Sequence, residues 1–268
     1  MDPQEIKERI IGKARSLGVN LIRTCTVQKW EEIPLQPREF WPQSIWPWVK
    51  SVIVLGIPLF SPMVATTPSM VYQERQRQMC IRDSYQELYD TSNRVLDDCA
   101  YRLTNYIVAE LGLRAVYFPR DCYYGIRELL ARPAAAFSHV LAGYYAGMGT
   151  IGDSHNLLTP EFGPRLRIVS VLTDAPVSPD AMLQKNLCLH CRKCLKNCPS
   201  HAFSEDGGAI YRMDKAACTK YHILLQEQKH WPCGVCLNVC PVGEDRKAYA
   251  EGKQVTEEGV RHCGIYGS

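Results

Sequence analysis

A dense group of cysteines near the end of the chain constrains this sequence more than any other feature. The chain has thirteen cysteines, and nine of them lie from Cys188 onward. The first motif has the spacing C-x-x-C-x-x-C-x-x-x-C-P and consists of Cys188, Cys191, Cys194 and Cys198. Iron–sulfur clusters need thiolate ligands, and this spacing is that of bacterial two-cluster ferredoxins, in which the fourth cysteine ligates the other cluster.

A second motif, C-x-x-C-x-x-x-C-P, lacks one near cysteine, and Cys218, fifteen residues upstream of Cys233, can replace it. The crossed pattern predicts one cluster on Cys188, Cys191, Cys194 and Cys240, and the other on Cys198, Cys218, Cys233 and Cys236. Zinc is the alternative metal, because C-x-x-C pairs also bind zinc. Tetrahedral zinc needs neither the triple repeat nor the trailing Cys-Pro, so we predict two [4Fe–4S] clusters.

Composition and charge indicate an ordinary globular protein. Hydrophobic residues make up 46% and charged residues 22% of the chain, which is typical of soluble domains. The formal net charge of +3 is too small to indicate nucleic-acid binding, so we expect nucleic acid to be an unlikely partner. No apolar run is long enough to span a membrane, and the N-terminus shows no secretory signal. We therefore expect a cytoplasmic protein without a membrane partner, whose cysteines do not form disulfides.

Apolar periodicity predicts a mixed core upstream of the cysteines. We predict helices over residues 4–17, 84–111 and 134–146, and strands over residues 19–27, 52–55, 114–118 and 166–173. The strand at 52–55 is continuously apolar, which is typical of burial on both faces. The Trp- and Pro-rich residues 30–48 are predicted to be irregular and to pack on the core surface. We expect an α/β or α+β core over residues 1–178 and a two-cluster ferredoxin-like domain over residues 179–268.

A glycine-rich loop precedes the cysteines. Gly147, Gly149 and Gly152 match G-x-G-x-x-G, but a dinucleotide site requires a strand before this motif and a helix after it. Here the motif follows a predicted helix, so we expect its backbone to approach another bulky ligand. We take these glycines, with His155 and Asn156, as candidate cofactor-binding residues.

Three side chains near this loop are candidate proton donors. His139 can donate a proton near neutral pH, and Tyr144 or Tyr145 can do so if its pKa is tuned. The alternative is that the tyrosines form an aromatic face of the core and that the histidine has a structural hydrogen-bonding role.

Several segments together resemble epoxyqueuosine reductases. Residues 142–152, 156–160 and 171–174 are similar to that family's A-G-L-G-W-I-G-K-N loop, L-L-I-x-P turn and L-T-D strand end. Residues 218–221 are similar to its C-I-S-Y segment, and residues 233–243 to its C-x-x-C-Q-x-V-C-P-W motif. These matches cover about residues 134–241.

The resemblance implies a cobalamin-dependent reductase, related also to reductive dehalogenases. In such proteins a nitroreductase-like α/β core holds cobalamin, the clusters deliver electrons to cobalt, and a nearby acid protonates a small-molecule substrate. A low-potential electron donor of ferredoxin or flavodoxin type is implied as well. Two alternatives remain open: an electron-transfer protein with no corrinoid and no active site of its own, and a flavin-dependent reductase on the same core.

The sequence departs from the family pattern in three places. The family's D-x-x-P-x-x-E segment places its Asp on Pro133 and its Glu on His139, so the expected acid is missing and His139 is our first candidate instead. The family's G-K-N step is longer by two residues here, over residues 152–156. Its tRNA-binding helical-repeat tail does not follow the second motif, so we expect a substrate other than tRNA.

Overall fold

The computed structural model describes residues 2–67, 79–118, 126–131, 135–228 and 230–250. The strands in this part of the chain are β1 (Leu21–Thr26), β2 (Ser51–Pro58), β3 (Ala115–Phe118), β4 (Thr150–Ile151), β5 (Leu157–Leu158), β6 (Leu166–Thr173), β7 (Phe203–Ser204) and β8 (Arg212–Met213). The helices are α1 (Pro3–Ser16), α2 (Gln28–Glu32), α3 (Pro42–Ile45), α4 (Ser61–Val64), α5 (Met79–Ala109), α6 (Glu128–Ala131), α7 (His139–Tyr145), α8 (Lys193–Asn197), α9 (Lys215–Glu227), α10 (Val235–Asn238) and α11 (Asp245–Ala250).

A four-stranded antiparallel sheet forms the centre of the N-terminal part, with strand order β1-β2-β6-β3. The apolar run of β2 lies between β1 and β6, with Ser51 opposite Thr173 and Pro58 opposite Leu166. Its residues from Ser51 to Gly56 are all buried, so the predicted burial on both faces is confirmed. This mixture of long helices and an antiparallel sheet is the α+β alternative of our prediction.

Helices α1 and α5 cover one face of the sheet. Their apolar faces have the spacing of amphipathic helices, and they bury Ile6, Ile10, Ala14, Leu96, Leu103 and Ile107 against the strands. Gly18, at φ +89°, follows the end of α1, where a residue in the left-handed region is readily supplied by glycine. The predicted helix over 84–111 is confirmed, and it begins earlier, at Met79.

The opposite face is covered by α2, α7 and the loops around them. Trp30 is fully buried there, and its ring centroid lies 4.6 Å from that of Tyr145. The prediction that residues 30–48 pack on the surface was therefore wrong for Trp30, because α2 folds back over the sheet directly after β1. The segment is also partly regular, since it contains α2, α3 and a 3-10 turn at Arg38–Phe40.

The predicted helix over 134–146 is shorter in the structure, and residue 134 lies outside the described residues. Helix α7 begins at His139, and the hydroxyl of Ser138 caps it by accepting a hydrogen bond from the Leu141 N–H at 3.2 Å. Such a cap satisfies one of the donors that a helix start leaves unpaired. The cap therefore sets the start of the helix, and apolar periodicity alone placed that start too early.

The C-terminal part consists of the short hairpin β7–β8 and helices α8 to α11. A small apolar group lies within it, formed by Cys198, Ala202, Phe203 and Tyr211. In the part of the chain that the structure describes, no helix combines the length and hydrophobicity that crossing a membrane requires.

Candidate iron–sulfur site

The eight predicted ligands come together as two groups in the structure. Four of the thiols line one cavity, namely Cys188, Cys191, Cys194 and Cys240. Gly152, Asp153 and Leu158 line the same cavity. These four cysteines are the set that the crossed pattern assigns to one cluster. Cys240 comes from the second motif, so the chain returns to the first motif to complete the group.

The remaining four cysteines act on one another. Burial, and then the charges of Cys233 and Cys198, raise the pKa of Cys218 to about 11. Burial raises the pKa of Cys236, and Cys233, Cys218 and Cys198 raise it further. Cys218 and Cys236 also pack against the apolar group that contains Cys198. We therefore assign Cys198, Cys218 and Cys236, with the nearby Cys233, to the second group.

The first group shows the same behaviour among its own members. Burial raises the pKa of Cys194 to about 11, with further contributions from Asp153, Cys188 and Cys191. Burial also raises the pKa of Cys240, and Cys191 and Cys188 add to that rise. Binding of iron releases the protons of its cysteine ligands, because a coordinating thiol is deprotonated.

The loop of the first motif is shaped by backbone that few residues adopt. His190 has φ 49° and Arg192 has φ 62°, so the chain turns twice through the left-handed region between Cys188 and Cys194. The side chain of Asn186 accepts a hydrogen bond from the Cys188 N–H at 3.0 Å. These features bend the segment around the cavity that its cysteines line.

Asp153 lies next to this loop and was missed by sequence reasoning. It is 2% exposed, and its carboxylate lies 3.0 Å from Nδ1 of His190. Asp153, His190 and Cys188 also place one potential ligand atom each within 4.8 Å of one another. The sequence did contain a signal for Asp153. It lies in residues 152–156, where the chain is two residues longer than the G-K-N step of epoxyqueuosine reductases.

Asn156 connects the N-terminal core to the second cysteine group. Its amide donates a hydrogen bond to Sγ of Cys236 at 3.6 Å, and it also donates to the backbone oxygen and the hydroxyl of Ser154, each at 3.1 Å. Hydrogen bonds to ligand sulfurs are among the features that set cluster potentials. Asn156 thus contacts a predicted cluster ligand, and its role as a cofactor-binding residue stays a prediction.

Arg165 fastens the loop after the second motif and was also missed. It is fully buried and forms a two-pronged ion pair with Asp245, at 2.7 and 2.6 Å. Its remaining donors reach the backbone oxygens of Leu237, Cys240 and Val242. A single arginine before a strand belongs to no repeating pattern, so the sequence could not predict that Arg165 holds this loop.

The glycine loop is packed against protein. A side-chain carbon at Gly147 would lie 2.0 Å from the Ala181 backbone oxygen, and one at Gly149 would lie 2.0 Å from that of Leu158. At Gly152 it would lie 2.7 Å from the Leu158 side chain. The expectation that this backbone approaches a bulky ligand is corrected, because neighbouring chain segments fill the space that the glycines leave.

His155 contacts the C-terminal part. Its Nε2 lies 2.6 Å from the backbone oxygen of Tyr211, and its ring stacks on Phe203 with centroids 6.4 Å apart. These contacts attach the loop to the hairpin β7–β8. The prediction that His155 binds a cofactor gains no support from them.

The three candidate proton donors lie on the second face of the sheet. Tyr145 is fully buried, its hydroxyl donates to the backbone oxygen of Ile33, and burial raises its pKa. Tyr144 is partly buried beside it, with ring centroids 5.6 Å apart. His139 has Nδ1 3.0 Å from the hydroxyl of Ser170. Tyr145 thus has the structural role that we named as its alternative.

Comparison with known proteins shows which proteins the chain is similar to. The family model described as "4Fe-4S dicluster domain" matches residues 187–244. The epoxyqueuosine reductase of Bacillus cereus is 24% identical over 266 residues, covering 90% of this chain and 65% of that protein. The tetrachloroethene reductive dehalogenase of Sulfurospirillum multivorans is 32% identical over 117 residues, covering 36% of this chain and 22% of that protein. The chain is similar to epoxyqueuosine reductases and to reductive dehalogenases, and it carries a 4Fe-4S dicluster domain.

Solved structures of the same two families share the fold. A catabolic reductive dehalogenase in complex with 3-bromo-4-hydroxybenzoic acid has a TM-score of 0.65 at 22% identity, over 97% of this chain and 34% of that one. An epoxyqueuosine reductase with an epoxyqueuosine-modified tRNA stem loop has a TM-score of 0.54 at 17% identity, over 88% of this chain and 65% of that one. The chain spans less than two thirds of the length of each of these relatives.

Proposed function

We propose that the chain is an iron–sulfur reductase in which two [4Fe–4S] clusters carry electrons to an acceptor at the N-terminal core. The observation that carries this proposal is the division of eight thiols into two groups of four, each with members from both motifs. The named relatives, which are reductases, support it. A bound [4Fe–4S] cluster supplies one-electron transfer at low potential.

The residues present fit two clusters. Each group offers four thiolates, the ligand set of a [4Fe–4S] cluster. Asn156 donates to one of the sulfurs, and Arg165 fixes the backbone at Cys240. We propose the division at 178/179 on the same basis, with residues 1–178 as a nitroreductase-like acceptor core and residues 179–268 as the two-cluster domain.

We propose a cobalamin-type cofactor as the acceptor, with a small molecule as the substrate that is cleaved reductively. Its support comes from a solved reductive dehalogenase of the same fold, for which B12-dependent dehalogenation is described. The glycine-loop residues that we predicted to hold it do not fit this role, because protein atoms fill the space beside Gly147 and Gly149. A corrinoid would be held by other residues.

The expectation that nucleic acid is an unlikely partner is not supported. A relative of the same fold is known with a tRNA stem loop, so the small net charge of this chain is not a sufficient argument against RNA. We therefore propose the substrate as either a small molecule or a tRNA base, with a low-potential electron donor as the second partner. His139 remains our proposed proton donor, because imidazole is the side chain suited to general acid chemistry near neutral pH and its Nδ1 is held 3.0 Å from the hydroxyl of Ser170.

A second candidate function is electron transfer with no corrinoid and no active site of its own. The filled glycine loop favours it, because the loop that we expected to face a cofactor supports the cluster region instead.

The metal and cofactor content of anaerobically purified protein tests both functions. We expect about eight iron and about eight sulfide per chain in either case. Cobalt in stoichiometric amount supports the reductase with a corrinoid, and full iron without cobalt or flavin supports the electron-transfer function. Zinc in place of iron would overturn both.

A further inference from the structure

The two cysteine groups differ in their exposure to solvent. In the first group Cys191 is exposed, and Leu189 beside it is 65% exposed although it is a large apolar residue. In the second group Cys198 is buried, and Cys236 contacts Asn156 of the N-terminal core. The first group is therefore the one that a partner protein can approach.

Basic side chains are frequent on the segment that carries this exposed group. Residues 181–204 contain no Asp or Glu, and their basic side chains are all exposed: Lys185, Arg192, Lys193 and Lys196. Arg192 and Lys193 line the same cavity as the thiols. Arg192 has a partly exposed ion pair with Glu205 at 2.8 Å, which leaves the patch with an excess of positive charge. We call these four residues together with Leu189 the cationic rim.

We propose that the cationic rim is the docking surface of an acidic electron-transfer protein that reduces the first cluster. This proposal rests on the proposed function and names its partner's binding face. A small apolar centre within a charged border suits a brief encounter, because electron-transfer complexes bury little surface and charge complementarity mainly raises the association rate. RNA would also be attracted to these cations, but it would gain nothing from the exposed Leu189 or from closeness to a cluster.

The transfer balances as a single electron. A donor flavin hydroquinone loses one electron and one proton to become the neutral semiquinone. The proton passes to solvent, and the cluster gains the electron. No covalent bond forms or breaks in this chain.

Binding of an acidic flavodoxin in its oxidised form tests the docking surface without any electron transfer. The charge-reversed variant Lys185→Glu/Lys196→Glu, which leaves Lys193 in the cluster cavity unaltered, should bind it about tenfold more weakly at low salt, and the difference should shrink at high salt because screening shortens the range of the charges. The matched control is Arg15→Glu/Arg94→Glu, which reverses two exposed arginines of the N-terminal core and should bind as the unaltered protein does.

A second readout is the rate at which flavodoxin hydroquinone, followed through its blue semiquinone, reduces the clusters. It should fall in the rim variant in parallel with binding, while reduction by a small photoreduced deazaflavin stays unchanged. Equal binding and equal rates in the two variants would overturn the docking surface, as would a rim variant that loses only affinity for a tRNA stem loop. Absence of iron, or clusters that no reductant reduces, would instead refute the proposed function.

Discussion

Asn156 shows how a single residue can connect the N-terminal core to a cluster. Its amide points at Sγ of Cys236 because Ser154 holds it through two further hydrogen bonds. A hydrogen bond to a ligand sulfur stabilises the more negative, reduced state, so its strength enters the potential directly.

Asn156→Ala should therefore lower the midpoint potential of one cluster by roughly tens of millivolts, since only part of a hydrogen bond to a charged group, about 1.5–3 kcal/mol in all, differs between the oxidation states. A redox titration followed by electron paramagnetic resonance measures this. The other cluster, and both clusters of the exposed-site variant Asn105→Ala, should keep their potentials. A shift of both clusters, or of neither, would remove Asn156 from this role.

His222 gives the structure a dependence on pH. Burial lowers its pKa from 6.5 to about 4, and its ring packs against Trp231 with centroids 6.3 Å apart. Because the unfolded chain takes up the proton first, stability is lost as the pH falls from about 6.5 towards 4, and this residue has no effect above that window.

Relative to His222→Gln, the unaltered protein should lose about 1.3 kcal/mol of its free energy of unfolding between pH 7.5 and 5.5. Denaturant unfolding of both proteins at the two pH values measures the difference. An identical pH dependence in the two proteins would show that His222 is not buried in its neutral form.

At the scale of the elements, helix α5 carries much of the core. Leu103 is fully buried and Val108, on the same helix, is 48% exposed. Leu103→Ala should lower the free energy of unfolding by about 2–5 kcal/mol, because it removes buried apolar surface and leaves a cavity.

Val108→Ala is the matched control, and it should change stability by less than about 0.5 kcal/mol. Thermal unfolding of the cluster-loaded protein, followed by circular dichroism, gives both values. Equal effects at the two positions would mean that α5 does not bury the face described here.

The sequence was sufficient to predict those helices and strands whose apolar residues recur with a clear period. The helix at α5 and the strands β2 and β6 follow from their apolar patterns. It was insufficient where a local cap or a tertiary contact decides, as at the start of α7, set by Ser138, and at Trp30, buried by the return of α2.

At the scale of the whole molecule, cysteine spacing predicted the two ligand groups, but not what holds them to the core. That spacing is a local chemical signature, whereas the contacts of Asp153, Asn156 and Arg165 depend on how distant segments meet. The glycine loop shows the same limit, because its motif could not reveal that protein atoms rather than a ligand lie against it.

The contact between Arg165 and Asp245 joins the two parts of the molecule. Asp245 is 8% exposed and Arg165 fully buried, so Arg165→Met should cost about 3–5 kcal/mol by leaving a buried carboxylate unpaired. The double variant Arg165→Met/Asp245→Leu should recover part of this loss, as thermal unfolding can measure. If Arg165→Met were as stable as the unaltered protein, the ion pair between Arg165 and Asp245 would not hold the two parts together.

The central claim is that this chain holds two neighbouring [4Fe–4S] clusters on crossed sets of cysteines. Electron paramagnetic resonance of the fully reduced protein, with spin quantitation, tests it most directly. We predict about two spins per chain, with the broadening that two interacting clusters produce. Cys240→Ala, which removes one of the four ligands of the first cluster, should leave a single uncoupled spin. A silent spectrum from protein that carries zinc, or one uncoupled spin in the unaltered chain, would contradict the claim.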